Sequence, residues 1–454
     1  MIKDFLLAFF ATIIIFGCVF IVALYISFLA AFILLVSLFL FFHSIFTLFW
    51  MLYAWENPHD ADIHKSPRTY SSPINTFSLL VPARHEEKVI ADTISALHGL
   101  DYPINLFEAL ILIRNDDPRT IEKANEEIER LEATNIRVVT FETSPINKPH
   151  ALNVGLRDAK NNIVAVFDAE DEPHKNILKV ANTIFATSKT DVLQSGVQLM
   201  NYKSHWYGIL NVLEYFFWFK SGLLFFSKVG GVALLGGNTV FIKKMFLKGI
   251  GGWDENCLTE DADLGIRLTI QGARTRVVYD EEHATHEETP GSLGNFIKQR
   301  TRWNQGFLQV ITKGDWARLP KIRQKLFALY ILISPFMQLL FVLCSPILVY
   351  VALTQKLPIL ISIISITPFF LLLIQLVIQV VMFYEFCKDF KLKSSFIGAV
   401  VLLMSYIPYQ LILIISALRS VFRNSIGHLS WEKTSHTNAH RGISIKSRLA
   451  ALKS

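Results

Sequence analysis

The sequence predicts a mostly parallel, three-layer α/β domain held between membrane-spanning helices. Three observations predict it. Strand-like and helix-like stretches alternate in a β-α-β rhythm from residue 77 onward. Long apolar runs flank that region on both sides. The 454-residue chain is 52% hydrophobic with mean hydropathy +0.38, too apolar for an ordinary soluble protein.

The elements follow in order. From Phe5 to Trp55 the chain has no charged side chain apart from His43. That is about twice the roughly 20 residues one span needs. It predicts a transmembrane hairpin over 1–55 with a turn near 28–32, and it is far too long for the core of a signal peptide. Residues 56–76, with Pro58, Pro67 and Pro73, read as a linker. The α/β domain, 77–315, opens with strand Phe77–Val81 and helix Glu86–Leu97. Strand Ala109–Ile113 leads to helix Pro118–Glu132, with Pro at its start. Strand Ile136–Phe141, helix Pro149–Asp158, and strands Ile163–Phe167 and Val192–Val197 come next. Trp206 to Val229 is rich in aromatics but broken by Glu214 and Lys220, which predicts an interfacial amphipathic helix over about 205–230. A second interfacial helix is expected over about 292–325.

Three apolar segments, about Leu326–Leu353, Leu357–Phe386 and Phe396–Leu418, are each long enough to span (together 326–418). Ser334-Pro335 and Ser345-Pro346 make the first a candidate broken helix. The tail, 419–454, carries Arg419, Arg423, Lys433 and Arg441, which favours the cytoplasmic side. Two plus three crossings would leave the chain ends on opposite sides. Either one segment is re-entrant or interfacial, or the tail lies outside.

The net charge of +6 is a modest basic excess beside apolar segments. No RNA- or DNA-binding motif is visible, so no nucleic-acid partner is expected. Cys18, Cys257, Cys344 and Cys387 are scattered without metal-ligand spacing and read as thiols in a reducing compartment.

Chemistry concentrates at strand ends. The apolar run Ile163–Phe167 stops in Asp168-Ala-Glu170-Asp171. Open α/β sheets bind ligands at the carboxyl ends of their strands. Asp168 and Glu170, two apart, can reach one hard cation that also holds a diphosphate. Around them stand Val81-Pro82-Ala83-Arg84-His85-Glu86-Glu87, Arg114-Asn-Asp116-Asp117, Lys148-Pro-His-Ala-Leu-Asn153, Leu258-Thr259-Glu260-Asp261-Ala-Asp263, and Gln299-Arg-Thr-Arg302-Trp303. Each has a plain structural reading. Asp116 and Asp117 can cap a helix, Lys148 and the Glu260–Asp261 pair can be solvated, and Arg302 can snorkel at a membrane surface. Together they supply a cation site, a separate acid to act as base, and a cation-plus-aromatic pair for a sugar or diphosphate.

In the separated acids, the Thr259-Glu260-Asp261 and the Gln299-x-x-Arg302-Trp303, the chain resembles the membrane-integrated inverting family-2 glycosyltransferases. That group includes cellulose, chitin, hyaluronan and mannan synthases, and the resemblance covers about residues 75 to 310. It implies a GT-A fold with a Rossmann-like, mostly parallel sheet on the cytosolic face of the cell membrane. It also implies hexosyl transfer from a UDP- or GDP-sugar to a polysaccharide or glycolipid acceptor amid membrane lipids. By resemblance, Pro82, Ala83, Arg84 and Glu87 border the nucleotide, Asp117 meets its base, and Lys148 and Asp168 contact the donor. Asp168 with Glu170 or Asp171 holds Mg²⁺ or Mn²⁺. Asp261, with Glu260 beside it, is the general base. Gly237, Asn238, Thr259, Gln299, Arg302 and Trp303 line the acceptor side. Trp431, Lys433, Thr434 and His436 resemble a loop that closes over the nucleotide, which requires a cytosolic tail. The family's usual Asp-x-Asp is Asp-Ala-Glu here, and Arg84-His85 stands where the family often has Tyr-Asn. Processive polysaccharide synthesis is the leading expectation. Transfer of one sugar to a lipid is the alternative, and a transporter with a regulatory domain is a distant one.

Overall fold

The computed structural model describes residues 17, 28–354, 358–428 and 440–441. Short apolar runs build its central sheet: β1 (Phe77–Ala83), β2 (Phe107–Arg114), β3 (Ile136–Phe141), β4 (Ile163–Val166), β5 (Val192–Ser195), β7 (Val240–Lys243) and β8 (Thr275–Val278). Their order is β3-β2-β1-β4-β7-β5-β8. Only β7 runs antiparallel to its neighbours. A two-stranded parallel sheet joins β6 (Val197–Leu199) to β9 (Thr285–Glu287).

Side chains alternate across the sheet as a strand period of two dictates. Phe77, Leu79, Ala165 and Phe167 fall on one face, packed with Ile90, Ile94 and Leu97 of α2 (Ile90–His98) and Ile177 and Val180 of α5 (Ile177–Thr187). Leu80, Val164 and Val166 fall on the other, with Leu152 of α4 (Lys148–Asp158) and Leu264 and Leu268 of α7 (Glu260–Ile270). These are the three expected layers. The helix starts are written locally. Asp117 caps α3 (Pro118–Arg130) by accepting from Thr120 N at 3.3 Å, with Pro118 at its first turn. Asn147 caps α4 through His150 N at 2.9 Å.

The predicted strand Val192–Val197 is two strands in two sheets. The break falls at Gly196, where a Cβ would lie 2.7 Å from the Tyr279 ring. Only a bare backbone passes there, so the chain changes sheet.

Among the described residues, five helices are long and apolar enough to cross a membrane. α1 (Phe28–Glu56) runs as helix through 28–32, where the sequence suggested a turn. The stretch expected to lie at an interface is α6 (Gly208–Phe217), continued by π-helical turns Trp218–Gly222 and Phe226–Gly230. It is 78% buried over its most apolar window, so it is enclosed by protein instead of laying a face outward. α8 (Leu293–Lys313) is capped by Ser292 and ends at the left-handed Gly314, φ 79°. α9 (Ile322–Thr354) continues through Pro335 and Pro346. It is one helix, not the broken one expected. α10 (Ile359–Asp389) and α11 (Phe396–Ser425) complete the bundle, α11 reaching past the expected end at Leu418.

Two features lock the bundle to the α/β domain. Lys220 lies 2.8 Å from Glu281, 3.0 Å from Glu385 and 2.7 Å from Asp389, and Trp55 Nε1 donates to Glu385 at 2.7 Å. Gly306 of α8 abuts the start of α7. A Cβ there would lie 2.4 Å from Thr259 Oγ1 and 2.7 Å from Thr259 N. Gly306→Ala should therefore force α7 and α8 apart and cost about 1–3 kcal/mol. Gly294, earlier in α8, has no neighbour closer than 4.0 Å, and Gly294→Ala should leave the melting temperature unchanged or higher. Thermal unfolding of both variants in detergent checks the pair.

Candidate active site

The strand order reverses between β1 and β4, and a ligand site belongs outside the carboxyl ends of such a pair. β1 delivers Pro82, Ala83 and Arg84 there, and β4 delivers Asp168 and Glu170. All five line one cavity of about 820 Å³. Backbone strain marks the same place. His85 (φ 52°) and Thr239 (φ 46°) are left-handed without being glycine, a cost found at functional sites. Thr239 is held there by its N–H on Val166 O at 2.7 Å.

The acidic turn sorts its carboxylates into two jobs. Asp168, Glu170 and Glu287 bring carboxylate oxygens within 4.8 Å of one another. Asp171 turns away from them. It is fully buried, accepts from Asp168 N at 2.8 Å and from Asn238 Nδ2 at 2.9 Å, and so props the turn. Of the two candidates for the second ligand, Glu170 has the geometry and Asp171 does not. Glu287, from β9, is a third candidate that the sequence reading missed. The Asn238 Nδ2 that holds Asp171 also donates to Glu287 at 2.7 Å. Burial, then the neighbouring acids, push the Asp171 and Glu287 carboxyls well above their usual range. A hard divalent cation relieves such repulsion, and three oxygen donors suit Mg²⁺ or Mn²⁺.

Lys148, in the first turn of α4, is ion-paired with Asp168 and donates to Gly237 O at 2.9 Å. Burial opposes its charge, but Asp168, Glu260 and Asp261 outweigh burial and keep it protonated. Gly237 closes the group. A Cβ on it would lie 3.2 Å from Asp261 Oδ2 and 3.3 Å from Lys148 Nζ, so a side chain here would press on both.

α7 begins at Thr259 and carries Glu260, Asp261 and Asp263 in its first turn, where the helix dipole favours anions. Thr259, Glu260 and Asp261 line the cavity. Asp263 is fully buried and bound to Arg267 at 2.6 Å and Lys313 at 2.7 Å, a structural tie from α7 to α8. Burial and the Asp261 charge raise Glu260 to about 7, and burial raises Asp261 also.

α8 contributes Gln299, Arg302 and Trp303 to the cavity wall. Arg302 Nη1 donates to Leu258 O at 3.4 Å. Arg300, unremarked in the sequence, lies 4.6 Å from the Trp303 ring centroid and is held by Glu214 and Asn211, each at 2.5 Å. It backs one face of the indole.

Two expected positions lie off the cavity wall. Asp117 does not line the cavity: its carboxylate caps α3 and accepts from His85 N at 2.5 Å. Asp116, also off the wall, pairs with two of the lining arginines, Arg114 at 2.5 Å and Arg84 at 3.7 Å. Glu86, buried, lines the cavity in place of Glu87. Gly237 and Asn238 line it as expected positions. Trp431, Lys433, Thr434 and His436 lie outside the described residues.

Comparison with known proteins bears on family and fold. A probable glycosyltransferase, YdaM of Bacillus subtilis, is 24% identical over 80% of this chain and 87% of its own length. A beta-monoglucosyldiacylglycerol synthase from Nostoc is 28% identical over 54% of this chain, which spans about half, 52%, of that relative. A poly-beta-1,6-N-acetyl-D-glucosamine synthase from Staphylococcus epidermidis is 26% identical over 57% of this chain and 60% of its own. In fold, the chain is similar to the mannosyltransferase PcManGT from Pyrobaculum calidifontis, solved with GDP-Man and Mn²⁺, with a TM-score of 0.56, 17% identity, and coverage of 84% of this chain and 99% of that one. Residues 73–306 match the model described as glycosyltransferase like family 2, and the chain belongs to that family: it is a glycosyltransferase with a GT-A-type catalytic domain.

Proposed function

We propose that this enzyme is an inverting, processive transferase of the cell membrane. It moves a sugar from a UDP- or GDP-sugar to a growing polysaccharide and passes the product into its own helix bundle. One observation carries this reading. The cavity holding Asp168, Glu170, Glu260 and Asp261 also reaches between α1, α9, α10 and α11, where His43, Ser44, Thr47, Gln338, Gln375, Gln379 and Gln410 line it. Polar side chains inside apolar spans are costly and mark pathways. Their amides and hydroxyls suit a hydroxyl-rich chain. The catalytic domain faces the cytosol on this reading, as Lys321, Arg323 and Lys325 beside α9 favour.

In the reaction, Asp261 takes the proton of the acceptor hydroxyl as that oxygen attacks the anomeric carbon. The carbon–oxygen bond to the nucleoside diphosphate breaks in the same step, which inverts the centre. Asp168, Glu170 and Glu287 would hold a divalent cation, which offsets charge on the departing diphosphate. Lys148 and Arg302 bring further positive charge to the same space. Trp303, braced by Arg300, offers an aromatic face to the acceptor sugar.

A second reading, one sugar added to a diacylglycerol-type lipid, is favoured by the apolar part of the same wall: Phe341, Val342, Leu372, Leu411 and Ile414. Product size separates the two. Purified enzyme with a panel of radiolabelled UDP- and GDP-sugars should give polymer retained on a sizing column. A product that extracts into chloroform–methanol as a single-sugar lipid would establish the second reading instead.

Two variants test the base. Asp261→Asn should lower turnover by about 10²- to 10⁴-fold while calorimetry finds nucleotide affinity unchanged. Lost nucleotide affinity as the main defect would reassign the residue. The second test uses pH. Burial raises the Asp261 carboxyl, and burial with the Asp261 charge raises Glu260, so the ionised base becomes scarcer as pH falls and turnover should drop on the acid side above the usual carboxylate range. Glu260→Gln removes one acid of the pair, the one whose pKa the Asp261 charge raises, and should move that acid limb to lower pH. A limb that stays in place or moves up would argue against coupling between the two acids.

A further inference from the structure

We infer that Arg441 is a positioning residue for the acidic turn, clamping it from behind through backbone carbonyls. Its Nη2 donates to Asp171 O at 2.9 Å and to Glu170 O at 3.4 Å, across 270 residues of chain. The same Nη2 donates to Thr93 Oγ1 at 2.9 Å, and Thr93 Oγ1 in turn donates to Ala169 O at 2.6 Å. One guanidinium and one hydroxyl thus satisfy three consecutive carbonyls, Ala169, Glu170 and Asp171.

The arrangement has a consequence for cation binding. The turn carries Asp168 and Glu170 in front and its carbonyls behind. A guanidinium on the carbonyls fixes the turn and brings positive charge toward the acids without occupying their ligand oxygens. All three contacts fall on one terminal nitrogen with two N–H groups, so the 3.4 Å contact to Glu170 O is a shared one. The neighbouring residue shows that this part of the tail is seated in the protein: His440 is fully buried, with Nδ1 4.0 Å from Glu288 Oε2. His440 and Arg441 thus sit against the acidic turn and its neighbour Glu288. Arg441 stands to the cation ligands as outer-shell partners do in metal sites generally, where their loss weakens metal affinity.

This role rests on reading Asp168, Glu170 and Glu287 as the divalent cation site, and the experiment separates the two. Mn²⁺ binding is measured by electron paramagnetic resonance on the full-length protein in detergent, beside melting temperature and turnover. Arg441→Ala should weaken Mn²⁺ binding about 10- to 100-fold and lower kcat. Arg441→Lys, or millimolar guanidinium ion added to Arg441→Ala, should recover part of both. Unchanged Mn²⁺ affinity in Arg441→Ala would overturn the clamp. So would a loss that neither lysine nor guanidinium recovers, since that marks general misfolding. If Asp168→Asn binds Mn²⁺ as well as the unaltered protein, the cation site itself is misassigned and the clamp's role falls with it.

Discussion

Repulsion between carboxylates is the constraint on which this site depends. Asp168, Glu170, Asp171 and Glu287 crowd one end of β4, and Glu260 and Asp261 stand across Lys148 from them. Left alone, such a cluster would protonate or spread apart. The fold answers with a different device on each side. Lys148 puts a buried charge between the two acid groups. Asn238 ties Asp171 to Glu287 with one amide nitrogen. The first turn of α7 presents its helix dipole to Glu260 and Asp261. A charge balance of this kind is poised: a cation and a diphosphate can enter it with little rearrangement of protein.

The same economy explains the close packing around the cluster. Gly237 is bare where a side chain would press on Lys148 and Asp261, and Gly306 is bare so that α8 can lie against Thr259. α8 therefore couples three things. It brings Arg302 and Trp303 to the cavity, fixes the start of α7 that holds Asp261, and reaches the bundle through Gln305, whose Nε2 donates to His428 O at 2.9 Å.

Much of this was legible in the sequence, for a physical reason. Period-two apolar runs, proline at helix starts and acids at strand ends are local signals, and β1 to β4, α3 and α4 follow from them nearly residue for residue. What failed depends on distant partners. Asp171 and Glu170 look equivalent until Asn238 claims one of them. Glu287 sits 117 positions after Glu170 on a three-residue strand, with no motif to announce it. Asp117 and Asp116 differ only in which one the cap of α3 consumes, a matter of one residue of register. The helix through Trp218 and Phe226 reads as interfacial because Glu214 and Lys220 punctuate it. Arg300 and the Glu281–Glu385–Asp389 group that neutralise them come from elsewhere in the chain.

The position of the base relative to the bundle gives the final step. Asp261 and Glu260 lie on the cavity wall with Arg302 and Trp303, while Arg84 and Asp168 lie on the wall built by the sheet's switch point. On the proposed reading, with Asp261 as base, the acceptor comes from the side where α8 and the bundle form the wall, and the donor from the side of β1 and β4. After transfer the new terminal sugar occupies the donor side. The next cycle requires that it withdraw toward α8 by one unit. The passage between α1, α9, α10 and α11, with its amides and hydroxyls, offers room for that withdrawal and exchanges one set of hydrogen bonds for another. A lipid acceptor needs no such withdrawal, since it leaves by diffusing sideways. Glutamines deep in the passage, costly in an apolar bundle, have a use in the first case and little in the second, and that asymmetry supports the processive reading.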